Sequence, residues 1–416
     1  MTRVHRWNIT ADKCKRVAGA LTALTLAVGL AACNDSAEGD AKGGKSVSKG
    51  TATGSPLKIL MVAMDFGEVE DVKRGANVAA NAINDAGGID NHPIQMVYCV
   101  HDSGDDNAAG SCVSKALKDP AVVAGAFWET TAGSVTTPMA NDAKLACLGC
   151  SMFGPTDFTA PAFFPDQAGF LAVNLQVQMA KDILGAKTVV MPYRPDTTAG
   201  LPDLVAATKP ADLDLVTLPV NAAQSDLSAT AAEVISKKPD VIIHATELPL
   251  LDKLLVAVEA QGAKIPITVT AGQVGPKTIK DRLAGVTSPV TILSVVNRTS
   301  KGFADYEADV KKYDPDQDAN DSSVSAWLAV KYLFAKNVAP ALEGKEITRQ
   351  AVWDTSNSLK AVNTDGLMPS MDWSTPTKLL GGMVTRGFNT TGYAYKYTGG
   401  DWKLEGQAFS LTDGQK

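Results

Sequence analysis

From residue 57 onward the chain alternates two kinds of segment with a regularity that leaves few folds open. Short apolar runs of strand length, rich in β-branched residues, cover residues 58–64, 94–100, 122–127, 145–148, 188–191, 213–218, 241–245, 267–270 and 290–296. Between most of them lie segments with apolar residues at helical spacing: 69–86, 108–118, 135–143, 171–184, 227–237, 250–261 and 276–283. Apolar runs without polar alternation suit sheets covered on both faces, and the strand–helix–strand order makes those sheets parallel. Nine such strands exceed what a single compact sheet commonly uses. Two Rossmann-like α/β lobes of similar size, each with a parallel central sheet, are therefore expected. Beyond residue 301 the pattern turns helical over 303–312, 322–337 and 349–359, and a Gly- and aromatic-rich stretch, 383–409, reads as a small antiparallel pair. Ligands of open parallel sheets bind beyond the carboxyl ends of the strands, so the loops that follow strands are where a site is sought.

Composition removes several function classes. Lys and Arg number 39 against 45 Asp and Glu, for a net charge of −6, which gives a nucleic-acid binder no basic excess. The four histidines, His5, His92, His101 and His244, are too scattered for a multi-histidine metal centre. The first strand runs into MVAMDFGEVEDV, with no Gly-rich phosphate cradle, and no nucleophile elbow, S-x-x-K set or H-E-x-x-H is present. The acidic runs 102–107 and 314–321 place Asn107 or Ala319 where a calcium loop needs Gly, and Val113 or Ser325 where it needs Glu. They read as solvated loops that cap the following helices. His101, Asp102 and Ser103 are triad residue types, but sequence neighbours do not make a triad geometry. His244 ends an apolar strand and reads as a hydrogen-bonded edge residue. No enzyme signature, metal set or cofactor site is expected.

The amino terminus reads as an address. Arg3, Arg6, Lys13, Lys15 and Arg16 precede an uncharged run, 17–30, that is shorter than the roughly 20 residues of a spanning helix. A signal peptide over 1–32 is expected, closed by Leu30-Ala31-Ala32-Cys33, which resembles the lipobox of bacterial lipoproteins. That resemblance makes Cys33 a lipid-bearing residue. The Gly-, Ser-, Ala- and Lys-rich segment 33–56 would then be a flexible, membrane-anchored tether. Removing the leader takes away five basic residues and one acidic one, leaving 34 against 44, or −10. Outside the cytoplasm the remaining cysteines most simply form local disulfides, Cys99 with Cys112 and Cys147 with Cys150. A redox or zinc role for Cys147 and Cys150 is the competing reading, weakened because no partnering pair accompanies them.

One set of motifs is more specific than pattern. Gly75-Ala76 enters the first helix, Asn84-Asp85-Ala86-Gly87-Gly88-Ile89 leaves it, Val100–Asp102 ends the second strand, and Gly125 precedes Thr130-Thr131-Ala132-Gly133-Ser134. This order resembles the leucine/isoleucine/valine-binding family of type I periplasmic binding proteins, the substrate receptors of ABC transporters. The likeness runs on to about residue 409, through PDVIIHAT and SAWLAVKYLF. It implies two lobes joined by three hinge crossings, 57–165 with 297–381 and 166–296 with 382–416, closing on a ligand. It also implies a monomeric, non-enzymatic receptor that serves a membrane permease. A tethered lipoprotein suits a Gram-positive envelope, and a ligand sensor working with a separate membrane partner is the alternative role.

The same resemblance places the ligand-binding loops. In the first lobe they are Trp128, Glu129, Thr130 and Thr131 after the third strand, and Ser151, Met152 and Phe153 after the fourth. In the second lobe they are Tyr193, Thr246, Glu247 and Gln273. Asp65 and Phe66 follow the first strand, and Trp128 and Phe66 are candidate apolar walls. Amino-acid-binding members carry Ser/Thr anchors for the α-carboxylate where this chain begins Trp-Glu, and their acid for the ammonium group falls at Gly272-Gln273 here. Asp65, Glu129 and Glu247 are thus alternative cation partners. If two of them face the cleft, the ligand carries an amine or is polar and neutral; an amino acid, an amide or a related amine is expected.

Overall fold

The computed structural model describes residues 52–65, 69–102, 104–166, 169, 171–198, 200–221, 223–283, 285–398 and 401–411. The expected signal peptide, Cys33, the tether as far as residue 51, and Phe66 lie outside the described residues. The last residues of that tether are held against the fold: Thr53 N–H donates to Asn91 Oδ1 at 3.1 Å and Gly54 N–H to the Asn91 carbonyl at 2.8 Å.

Strands β1 (Leu57–Met64), β2 (Ile94–His101), β3 (Val122–Glu129), β4 (Cys147–Leu148) and β5 (Phe163–Phe164) form an all-parallel sheet in the order β2-β1-β3-β4-β5. The second sheet takes β6 (Thr188–Tyr193), β7 (Asp214–Pro219), β8 (Val241–Ile243), β9 (Ile267–Thr270) and β10 (Val290–Ser294), parallel in the order β10-β9-β8-β6-β7. A ribbon of β11 (Thr377–Leu379) and β12 (Val384–Gly387) stands apart. Then β13 (Thr391–Thr398) runs antiparallel beside β10, with β14 (Asp401–Leu404) and β15 (Phe409–Ser410) on β13.

These are the two α/β lobes that the alternation implied. The chain passes between them after β5, after β10 and before β13. Strand residues in the second sheet alternate between two cores. Val190, Ile242, Ile267 and Val269 pack in one cluster, while Val189, Met191, Val241 and Ile243 pack in another. A period of two with both sets buried is what a doubly covered sheet requires.

Three features were not legible in the sequence. β5 is only two residues, below any useful period, and it is fixed by pairing with β4. The expected single pair over 383–409 is instead four strands: β12 pairs with β11, while β13, carrying β14 and β15, docks on β10, a partner about a hundred residues away. The expected helix 322–337 is α-helical over Asp321–Leu328 and then widens into a π-helical stretch, Ala329–Val338. There Ala339 N–H reaches back five residues to Phe334 O at 2.9 Å, and the Asn337 amide caps Tyr332 O.

The Asn-x-x-Gly-Gly turn earns its sequence. Gly87 and Gly88 have φ of 99° and 75°, and a Cβ on Gly88 would meet His92 O at 2.3 Å. Asn84 locks the turn to β2 by exchanging two hydrogen bonds with the Ile94 main chain, at 2.9 and 2.7 Å. Disulfides join Cys99 to Cys112, tying β2 to the helix Asp106–Leu117, and Cys147 to Cys150, closing the end of β4.

Candidate functional site

The carboxyl ends of both parallel sheets open onto one cleft of about 600 Å³. The first lobe contributes Phe127 and Glu129 of β3, then Thr131, Gly133 and Ser134, and the Ser151–Thr156 loop through Ser151, Phe153, Gly154, Pro155 and Thr156. The second lobe contributes His244 to Glu247 after β8, Thr270, Gly272 and Gln273 at the end of β9, and Gln176 from the helix Leu171–Asp182. Asp321, Ser322 and Ser325, at the start of the helix Asp321–Leu328, also line it.

Of the expected site residues, Glu129, Thr131, Ser151, Phe153, Thr246, Glu247 and Gln273 line this cleft. Trp128 and Met152 do not; they are 1% and 0% exposed in the first-lobe core. Thr130 is buried as well, where its hydroxyl oxygen accepts from Ala132 N–H at 2.9 Å and contacts His101 Nε2 at 2.7 Å. Asp65 and Tyr193 sit at strand ends without lining the cleft.

A bulge explains Trp128. Met61 of β1 pairs with Ala126 and Val62 with Trp128, so Phe127 is an extra residue in the ladder. It takes φ of 47°, a left-handed conformation that costs strain in a bulky residue. One inserted residue exchanges the two faces of a strand, so Phe127, itself buried at 3% exposure, lines the cleft while Trp128 does not. The sequence reading also missed Gln176, His244 and the Asp321 helix start. A glutamine pair inside the apolar run LAVNLQVQM was a usable signal for Gln176. Its Nε2 donates to His244 O at 2.8 Å and its Oε1 accepts from Thr268 Oγ1 at 2.7 Å.

The loop after β4 is held from beneath by Asp157, which accepts from Phe153 N–H, Gly154 N–H and Thr137 Oγ1 at 3.1, 3.0 and 2.6 Å. Three cleft acids have different fates. Glu247 pairs with Arg194 at 2.5 Å. Asp321 pairs with Arg298 at 2.6 Å and accepts from Ser294 Oγ and Val295 N–H. Glu129 forms no ion pair among the described residues; burial, and then the neighbouring Asp166 carboxylate, push its carboxyl up to about 7. Burial drives His244 down to about 4, weakly opposed by the Thr246 main chain, and neither imidazole nitrogen has a hydrogen bond of ordinary length.

A family model described as periplasmic binding protein matches residues 65–383. The chain belongs to that family. The family comprises solute-binding proteins and not enzymes, acting outside the cytoplasm with membrane permeases as partners. No curated protein matches the chain. Among solved structures, a fatty acid ABC transporter substrate-binding protein from Thermomonospora curvata has a TM-score of 0.68 at 16% identity, covering 89% of this chain and 98% of that one. A leucine-binding protein from Thermotoga maritima gives 0.64 at 14%, covering 85% and 99%. A branched-chain amino acid substrate-binding protein from Streptococcus pneumoniae, in complex with isoleucine, gives 0.62 at 16%, covering 84% and 99%. At such identities the likeness carries the fold. Among the described residues of this periplasmic binding protein, no helix is long and apolar enough to cross a membrane.

The two shifted groups pull the unliganded protein's stability in opposite directions. Glu129 binds its proton more tightly folded than unfolded, so its contribution falls as pH rises from about 4.5 to about 7. His244 binds its proton less tightly when folded, so its contribution falls as pH drops from about 6.5 to about 4. Urea denaturation of Glu129→Gln across pH 4.5–7.5 is expected to show stability climbing more steeply with pH than in the parent. A His244→Phe variant is expected to show the reverse change. Parallel curves for parent and variants would mean that neither group is perturbed.

Proposed function

We propose that this protein is the solute-capturing subunit of an ABC importer. It takes a small polar metabolite, an amino acid, an amide or a related amine, between its lobes and delivers it to a membrane permease. The observation that carries this reading is the cleft itself: it lies at the carboxyl ends of two parallel sheets and draws its lining from both lobes. A ligand touching both walls stabilises the closed form by its extra contacts there, which is the signal a permease can read. In the proposed organisation the closing bodies are 57–165 with 297–381 and 166–296 with 382–416. The protein acts as a monomer, exported and held by a lipid on Cys33 to the outer face of a Gram-positive cell membrane.

A thermal-shift screen of the protein against amino acids, amides, urea-like compounds, polyamines and aromatic acids tests the solute. A true ligand at a hundredfold excess over its dissociation constant is expected to add about 2.7 kcal/mol of stability. A screen without a shift, alongside turnover of ester or peptide substrates, sinks the receptor reading. Palmitate labelling in cells is expected for the parent and lost in Cys33→Ser; labelling that survives the substitution removes the anchor.

A further inference from the structure

We propose that the cleft selects an organic cation whose charged end carries N–H donors, a primary amine or a guanidino group, with Glu129 taking the charge and His244 accepting one N–H. This deepens the solute-site reading above and rests on it.

Charge is the first argument. Among the described residues the lining holds the acids Glu129, Glu247 and Asp321 and no Lys or Arg. Arg194 and Arg298 neutralise two of them. Glu129 is left uncompensated, with the Asp166 carboxylate near enough to add to the negative field. A carboxylate ligand placed there would meet like charge on a desolvated wall, whereas a cation would relieve it. The neighbouring helix start does not offer an anion an alternative. The helix Gly133–Asp142 already has the Asp157 carboxylate at its first turn, so close that a Cβ on Gly133 would lie 2.5 Å from Oδ1.

Hydrogen-bonding capacity is the second. His244 is 3% exposed and neutral over the physiological range, and neither nitrogen has a hydrogen bond of ordinary length, the Thr246 main chain being the one polar neighbour among the described residues that acts on the ring. Gln273 Oε1 is buried and unmatched as well. A buried polar atom without a partner is destabilising, so these are atoms that a ligand can satisfy. The Thr246 main chain favours a proton on the imidazole, so it can engage only the N–H, which leaves the other nitrogen as a lone-pair acceptor. The unmatched atoms are therefore acceptors, and the ligand must bring donors. A quaternary ammonium brings charge but no N–H, and would leave His244 and Gln273 as they are. Phe127, Phe153, Val173 and Leu201 supply apolar wall for the body of the ligand.

Isothermal titration of the full chain with four probes of one length tests this: n-butylammonium, n-butylguanidinium, butyltrimethylammonium and butyrate. The two N–H cations are expected to bind at least tenfold more tightly than the other two. In His244→Phe the affinity for the better of them should drop about tenfold while the unliganded protein melts no lower, since the substitution removes a buried acceptor nitrogen that has no partner. His244→Gln, which keeps an acceptor, should lose less and carries the comparison if the phenylalanine variant does not fold. Glu129→Gln should cost more than tenfold. Butyrate or the trimethyl compound binding as well as the N–H cations overturns the proposal, as does unchanged affinity in His244→Phe. A metabolite of another charge class that shifts melting while every N–H cation fails sinks the cation proposal and leaves the solute site standing. Silence from all four probes and from the whole metabolite panel sinks both.

Discussion

Asp321→Ala is expected to lower the free energy of unfolding by about 3–5 kcal/mol, the usual cost of stranding one partner of a buried ion pair. The Asp321 and Arg298 side chains are 4% and 7% exposed, and the pair is closed at 2.6 Å. The carboxylate also accepts from Ser294 Oγ at 2.8 Å and Val295 N–H at 2.9 Å, so truncation strands the Arg298 guanidinium and the Val295 N–H where β10 crosses back to the first lobe, while Ser294 Oγ keeps the Val296 carbonyl. Arg298 could not turn to water easily, because its guanidinium lies over Trp402 at 4.2 Å and Phe303 at 5.0 Å. Asp321→Asn keeps an acceptor and should cost less. Replacing both partners by apolar residues of similar volume should recover much of the loss, because no lone charge is then buried. Urea denaturation monitored by circular dichroism measures all three. A loss under about 1 kcal/mol in Asp321→Ala would mean that the pair is solvated.

The second large effect separates two adjacent aromatic residues. Trp128→Ala is expected to cost about 3–5 kcal/mol of stability by opening a cavity in the first-lobe core. Its indole packs 6.0 Å from the Phe163 ring and donates to Thr136 Oγ1 at 3.3 Å. Ligand affinity, measured where the variant is folded, should change little. Phe127→Ala removes a ring that is itself 3% exposed and also lines the cleft, so it should cost stability and weaken the ligand as well. Affinity lost in Trp128→Ala and kept in Phe127→Ala would place Trp128 in the cleft and dissolve the bulge argument.

That pair also shows where sequence reading ends. Trp128 and Phe127 are both apolar, both at the end of β3, and strict alternation assigns either face equally well. The extra residue between Ala126 and Trp128 is visible only against β1, which lies more than sixty residues away. The acids behave the same way. Glu129, Glu247 and Asp321 are all carboxylates at a strand end or a helix start, and nothing local distinguishes them. Arg194 and Arg298, separated from their partners by 53 and 23 residues, decide which charges are spent.

By itself, the sequence determined what depends on neighbours along the chain. Apolar runs of strand length between helical periods gave two parallel α/β lobes, and parallel sheets put the site at strand ends. Gly87 and Gly88 marked a turn that only residues tolerant of positive φ can make. The tertiary structure decided what depends on partners remote in sequence: the bulge that turned Phe127 toward the cleft, the docking of β13 on β10, and the pairing that left Glu129 and His244 unmatched. Backbone periodicity is a local property, whereas register and charge compensation are set by contacts that exist only once the lobes have formed.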